Sequence, residues 1–411
     1  MKKLTLLAAA IGALATIPTT AVAEDAFFEA LSGGKVDFNM RYRYEFVDDQ
    51  GNQKKNANAN TLRTALGYRT GDFHGFGAYV QFEDVRHLGS DRFNDFANGE
   101  TSYSVVADPE GTEVNQGYLS YTNFDTDFRL GRQEITYRKA PFHRFVGNVL
   151  WRQNHQSFDA FSIKNESFEK TKLSYAYIDK VHTIFGDDSI SKPDEVKMDT
   201  HLFNAQYEGL SIGKISGYGY LLDFKDKPAA SNQTFGARLA GGQGVSETVK
   251  LIYTAEFANQ SDYKSGIMDD QNYYLGEFGG KYSGWLGKVS YEVLEGDGNF
   301  SFQTPLGTNH AFQGWADKFL VTPKDGIEDL YFTVVGKVAG IKLVGVYHNF
   351  SSDKGSYDYG DEIDLLAQKT FMEHYTLGVK YFDYSADSNS QNTGGSAFDV
   401  TKFWLYGIMK F

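Results

Sequence analysis

The chain closes on Asp399-Val-Thr-Lys-Phe-Trp-Leu-Tyr-Gly-Ile-Met-Lys-Phe411. Thr401, Phe403, Leu405, Gly407, Met409 and Phe411 fall on one face, which is apolar apart from Thr401 and Gly407. Val400, Lys402, Trp404, Tyr406, Ile408 and Lys410 fall on the other, which carries both lysines. A period of two belongs to a β-strand, because successive side chains point to opposite sides of the backbone. A strand that ends the chain still needs a partner on each edge. In hydrocarbon that need is absolute, since an unpaired amide there costs several kcal/mol.

Residues 35–46 carry the same pattern more cleanly. Val36, Phe38, Met40, Tyr42, Tyr44 and Phe46 make one face, and Lys35, Asp37, Asn39, Arg41, Arg43 and Glu45 the other. In a barrel the apolar face meets lipid and the charged face lines the lumen. Further strand runs lie near 61–70, 76–82, 114–124, 127–134, 154–164, 170–180, 200–207 and 210–223. Others lie near 233–240, 247–258, 272–282, 285–296, 328–338, 340–350, 361–370, 373–385 and 399–411. Short gaps alternate with long ones. Short turns are expected at 71–75, 123–125, Glu208-Gly209, Ser283-Gly284 and Ala339-Gly340, and in the last three glycine supplies the positive φ that hairpins need. The pattern predicts an all-β, transmembrane, antiparallel barrel of about 18 strands, with short periplasmic turns and long extracellular loops. A terminal strand closed by an aromatic residue resembles the last strand of bacterial outer-membrane barrels.

Composition agrees. Tyr numbers 27, Phe 33 and Gly 43, whereas Pro is only 7 and Cys 0. Scarce proline suits a ladder-rich chain, and the lack of cysteine excludes disulfides and thiolate metal sites. Mean hydropathy is −0.43, as expected where lipid-facing and lumen-facing residues alternate. The net charge of −13 argues against nucleic acid, which is bound through Lys and Arg. Lys2 and Lys3, the apolar run 4–15 and Ala21-Val22-Ala23 read as an export signal over 1–23. The barrel then occupies 24–411.

The segment 300–326 is too long for an ordinary connection and too apolar for a disordered one. His310, Phe312, Trp315, Asp317, Lys318 and Phe319 mark it as a constriction loop folded against the lumen wall, with Phe312, Trp315 and Phe319 at roughly helical spacing. A small external cap is the plainer alternative, in which Asp317 and Lys318 form only a surface pair.

Four segments match a known pattern. They are Leu130-Gly-Arg-Gln-Glu134, Trp151-Arg-Gln-Asn-His-Gln-Ser-Phe-Asp-Ala160, Thr304-Pro-Leu306, and His310-Ala-Phe-Gln-Gly-Trp-Ala-Asp-Lys-Phe319. Together they resemble the alginate-export family of outer-membrane proteins. The resemblance implies a barrel of about 18 strands that passes a polyanionic uronate polymer through an Arg-rich lumen.

An anionic solute needs fixed cations along a wet wall. Arg41, Arg43, Arg63, Arg69 and Arg129 fall on lumen parity, with Arg132 and Arg152 close behind. Arginine grips a carboxylate through a planar two-donor fork and stays charged. The same arginines could instead pair with Asp37, Glu45, Glu83 and Glu134 to neutralise the wall. Asp48-Asp49, Asp187-Asp188, Asp269-Asp270 and Asp361-Glu362 read as solvated loop charge, and neither a metal nor a cofactor is expected. His155, Ser157 and Asp159 supply the residue types of a triad, but along one strand they spread over about 13 Å. An enzyme is not expected.

The reading is therefore a porin for anionic solutes, acidic saccharides of the alginate type foremost, in the outer membrane of a Gram-negative bacterium. Lipid, lipopolysaccharide and the barrel-assembly machinery are the expected partners, with the channel a monomer or a trimer. A non-selective porin and a non-conducting structural or adhesive barrel are the alternatives, and conductance separates them.

Overall fold

The structure is a computed structural model that describes residues 21–51, 54–389, 392 and 394–411. Helix α1 (Ala21–Ser32) precedes β1 (Lys35–Asp49), β2 (Ala57–Arg69), β3 (Phe76–His87), β4 (Gly111–Asn123), β5 (Thr126–Gln133) and β6 (Ser157–Asn165). Then come β7 (Thr171–His182), β8 (Glu195–Leu210), β9 (Gly213–Leu222), β10 (Asn232–Gly244), β11 (Val249–Asp262) and β12 (Gln271–Tyr282). The last six are β13 (Trp285–Leu294), β14 (Ile327–Val338), β15 (Ile341–Ser351), β16 (Asp358–Phe371), β17 (Tyr375–Ala386) and β18 (Val400–Lys410). The expected export signal lies at 1–20 outside the described residues, and its last three positions open α1.

Each strand pairs antiparallel with its sequence neighbours, and β18 returns to β1 to close an 18-stranded barrel. The closing register sets Arg41 opposite Ile408 and Arg43 opposite Tyr406. The amides of Phe38 and Phe411 donate to each other's carbonyls at 3.1 and 2.9 Å. Closure leaves no free edge, which is the condition for a sheet in lipid. Phe76, Phe82, Leu119, Phe203, Phe257, Phe278 and Phe332 stand exposed on the outer wall. Their alternate neighbours turn inward. All short turns and both ends of the described chain share one rim, and the long loops share the other.

Two expectations about elements need correction. Glu208-Gly209 is not a turn. Tyr207 pairs with Ile215 and Leu210 with Gly213, so the residues between them are extruded as a bulge. The chain reverses at 211–212. The run expected at 154–164 begins at Ser157, because Asn154 and His155 remain in a loop that is held elsewhere.

Candidate functional site

The lumen is crossed by loops. The 295–326 segment folds inward, and the 134–156 loop does so too and docks on it. Val146 and Leu306 form a parallel bridge. The Gly147 amide donates to Leu306 O at 2.9 Å, and the Thr308 amide to His143 O at 2.9 Å. Arg144 Nη1 donates to Gln313 Oε1 at 2.8 Å. Phe312, Trp315 and Phe319 do not form a helical face; the only helical turn described in this loop is a 3-10 turn, Asn309–Ala311. Phe312 meets Phe142 and the Arg144 guanidinium, Trp315 meets Trp151 and Phe382, and Phe319 meets Phe350, Tyr359 and Tyr384.

One wall, β1–β3, holds the 134–156 loop through arginines. Arg41 Nη1 donates to Leu150 O at 2.7 Å and Nε to Gln153 Oε1 at 2.8 Å, while Nη2 donates to Arg152 O. Arg43 donates to Trp151 O and Asp108 and lies 3.2 Å from Glu45. Three successive carbonyls, 150 to 152, are thus held by two arginines. Arg63 donates to Glu83 at 2.7 Å and Asn39 at 3.0 Å. Arg69 lies over the Tyr79 and Tyr118 rings at the short-turn rim. Arg129 is beside Asp127 and over Tyr118. Arg152 belongs to the loop and reaches Glu45 at 3.2 Å.

Arg132 does not line the lumen. It takes the parity of the exposed Leu130, opposite Asp159, whereas buried Gln133 points inward with Ser162. Three residues from Arg129 is an odd step, which reverses the face; that arithmetic was available in the sequence. Asp159 is also outside, bonded to Arg132 and His182. His155 bonds Glu134 at 2.9 Å. The residues of a triad are therefore apart.

Strands β11, β13 and β16 hold the loops through carboxyl groups. Glu256 takes Arg138, and Glu292 lies 3.3 Å from Arg144. Glu362 Oε1 accepts the Ala316 amide at 2.6 Å, and Asp364 Oδ2 the Trp315 amide at 3.2 Å. Glu362, expected as solvated loop charge, is fully buried in β16. Asp317 and Lys318 are not paired with each other. Asp317 bonds Lys402 at 2.7 Å and His310 at 2.5 Å, and Lys318 is 3.9 Å from Asp49. Burial lowers the His310 imidazole from its ordinary 6.5 to about 3. Burial pushes the Asp317 carboxyl up, but the His310 and Lys402 contacts outweigh it and hold the group well below 3.8. Because the imidazole is uncharged at neutral pH, Lys402 is the permanent counter-ion.

Between the walls stand Trp151, Trp315, Trp404, Phe382 and His310. They surround Lys380 Nζ, which is 3.2 Å from the Trp151 ring centre, 4.6 Å from Trp315 and 4.8 Å from Trp404. Nζ is buried without a hydrogen-bond partner, so its compensation is the negative face of the rings. This cluster divides the lumen. A cavity of about 770 Å³ lies towards the short-turn rim and one of about 540 Å³ towards the long loops; among the described residues Trp151 alone lines both. The larger cavity is lined by Arg41, Arg43, Arg63, Lys342 and Lys410, with the buried amine of Lys380 at its inner end, against the side-chain carboxyls of Asp37 and Glu134. No group of three or more His, Cys, Asp or Glu residues fit to hold a metal occurs among the described residues.

Residues 34–291, more than half of the chain, match the alginate export family. No curated protein matches the chain. The fold is similar to that of OccK9 (OpdG) of Pseudomonas aeruginosa, with a TM-score of 0.72 at 12% identity over 93% of this chain and 100% of that one. It is similar to OccAB2 of Acinetobacter baumannii, at 0.71 and 15% identity over 93% and 99%. It is also similar to P. aeruginosa OpdK, solved with vanillate, at 0.70 and 12% identity over 93% and 99%.

Proposed function

The chain belongs to the alginate export family, and as an outer-membrane, porin-type channel of a Gram-negative bacterium it moves small solutes; from that premise we propose that its solutes are anions. Acidic saccharides of the alginate type are the leading class. The observation that carries the reading is Arg41. Its guanidinium lines the larger cavity, and its hydrogen bonds go to two backbone carbonyls and a neutral amide oxygen. No carboxylate lies within ion-pair distance of it among the described residues. Its charge is thus left to the lumen. Cations gathered in a low-dielectric cleft raise the local concentration of anions and set the sign of pore selectivity. Arg43 and Arg63, each paired with a carboxylate, contribute less. Removal of residues 1–23 during export, insertion by the barrel-assembly machinery, contact with lipopolysaccharide, and a monomeric or trimeric channel complete the proposal.

Single-channel recording in planar bilayers tests it. The native protein should prefer chloride to potassium, and short uronate oligomers should interrupt its current. Replacing Arg41, Arg43, Arg63 and Arg69 with Ser should abolish both. An anion preference unchanged in that variant would overturn the assignment.

A further inference from the structure

We infer that α1 is an interfacial anchor, lying against the inner-leaflet phospholipids of the outer membrane beside the barrel rather than beneath its mouth. Its C-terminal end hangs from an outward-facing side chain: Tyr68 donates its hydroxyl to Leu31 O, and the Gly71 amide donates to Ala30 O at 2.8 Å. Tyr68 shares the parity of Leu66 and is paired with Val36, both exposed on the outer wall. Phe27 packs edge-on against Phe73 of the β2–β3 turn, with ring centres 5.4 Å apart.

The helix then shows three faces. Ala30 is buried against the rim, Asp25 and Glu29 form a polar side, and Phe27, Phe28 and Leu31 stand exposed, Phe28 at 57%. Nothing else in the described chain covers that last face. It is continuous with the lipid-facing wall of β1–β3, where Val36 and Phe76 are also exposed. The same rim carries exposed Phe124 and Met372 at the tips of two other short turns, so an apolar collar surrounds this end of the barrel. A helix with one apolar side and one charged side settles at the boundary of head groups and acyl chains. Phospholipid is the occupant that this continuity selects.

Because the chain has no cysteine, single cysteines give unambiguous probes. Phe28→Cys and Glu29→Cys are labelled with an environment-sensitive fluorophore, and the barrel is reconstituted into phosphatidylethanolamine–phosphatidylglycerol vesicles with brominated acyl chains. Val36→Cys serves as the lipid-facing reference. The label at 28 should emit to the blue and be quenched about threefold more than that at 29, approaching position 36. Equal, water-like emission at 28 and 29 without quenching would overturn the anchor, whether the helix were in solvent or in the lumen mouth. Leu31→Cys on the same face replaces Phe28→Cys if that variant fails the heat-shift test for a folded barrel, and the same two outcomes apply.

Discussion

The two stretches of wall that grip the loops, β1–β3 and β11–β16, hold the same partition with different leading chemistry. On β1–β3, arginines point in and take carbonyl oxygens of the 134–156 loop. On β11–β16, carboxylates point in and take amides and guanidiniums. The difference teaches what each charge is for. The acids of β11–β16 are largely consumed by loop contacts. Arg41 on β1 is bonded yet not neutralised, so the field in the larger cavity remains positive. One arrangement thus fixes the loops and sets the sign of the pore.

The comparison can be broken most severely at Arg144. It is buried beside Glu292, and breaking a buried pair by removing one partner costs about 3–5 kcal/mol. Arg144→Met should therefore speed hydrogen exchange at the Gly147 and Thr308 amides by about two decades or more, while the barrel ladder stays protected. Slow exchange at both would show that the β11–β16 wall is not a clasp.

A smaller loosening is expected from Glu362→Gln with Asp364→Asn. A typical buried hydrogen bond is worth about 0.5–1.5 kcal/mol net, and neutral amides retain part of that. Recordings should show more frequent open events, since Trp315 loses its tether beside Trp151. Event statistics matching the native channel would count against the tether.

Acidification acts on the same loop. His310 is lowered to about 3 in place, so the docked loop resists a proton that a free imidazole accepts at its ordinary 6.5. Docking should be constant above that value and weaken steadily as pH falls below it. Asp317, held well below 3.8, adds a further loss once free carboxyls protonate. Glu134 behaves alike in the other loop; burial raises it, but bonds from His155, Asn115 and Asn148 bring it from 4.5 to about 2. Open probability should therefore rise from pH 6.5 to pH 4 and not between pH 7 and 8. The reverse order would refute the assignment. The least effect is expected at Arg132, an outer-face pair of the kind worth about 0–1 kcal/mol. Arg132→Ser should leave the zero-current potential unmoved, whereas Arg41→Ser should shift it towards cations.

The barrel was legible because side-chain alternation is a direct product of strand geometry. The run 35–46 and the closing run 399–411 carry it almost without interruption, and turn parity supplied the strand count. Where bulges intrude, as between Asp159 and Ala160 or after Tyr207, faces and turns shifted by a residue or two. The partition was only half legible. Its 295–326 component announced itself by aromatic content, but the spacing of Phe312, Trp315 and Phe319 suggested a helix where irregular backbone is held by wall carboxylates. The 134–156 loop gave less warning, because the signal that it folds inward lies in Arg41, Arg43 and Glu292, far away in sequence. No local pattern records that Lys380 is surrounded by three tryptophans from three separate segments.

The most direct measurement is the zero-current potential of the native protein in a planar bilayer under a KCl gradient. A positive larger cavity predicts a potential whose sign reports chloride as the more permeant ion, and one that collapses in the Arg41→Ser variant. A cation-selective potential in the native channel would contradict it.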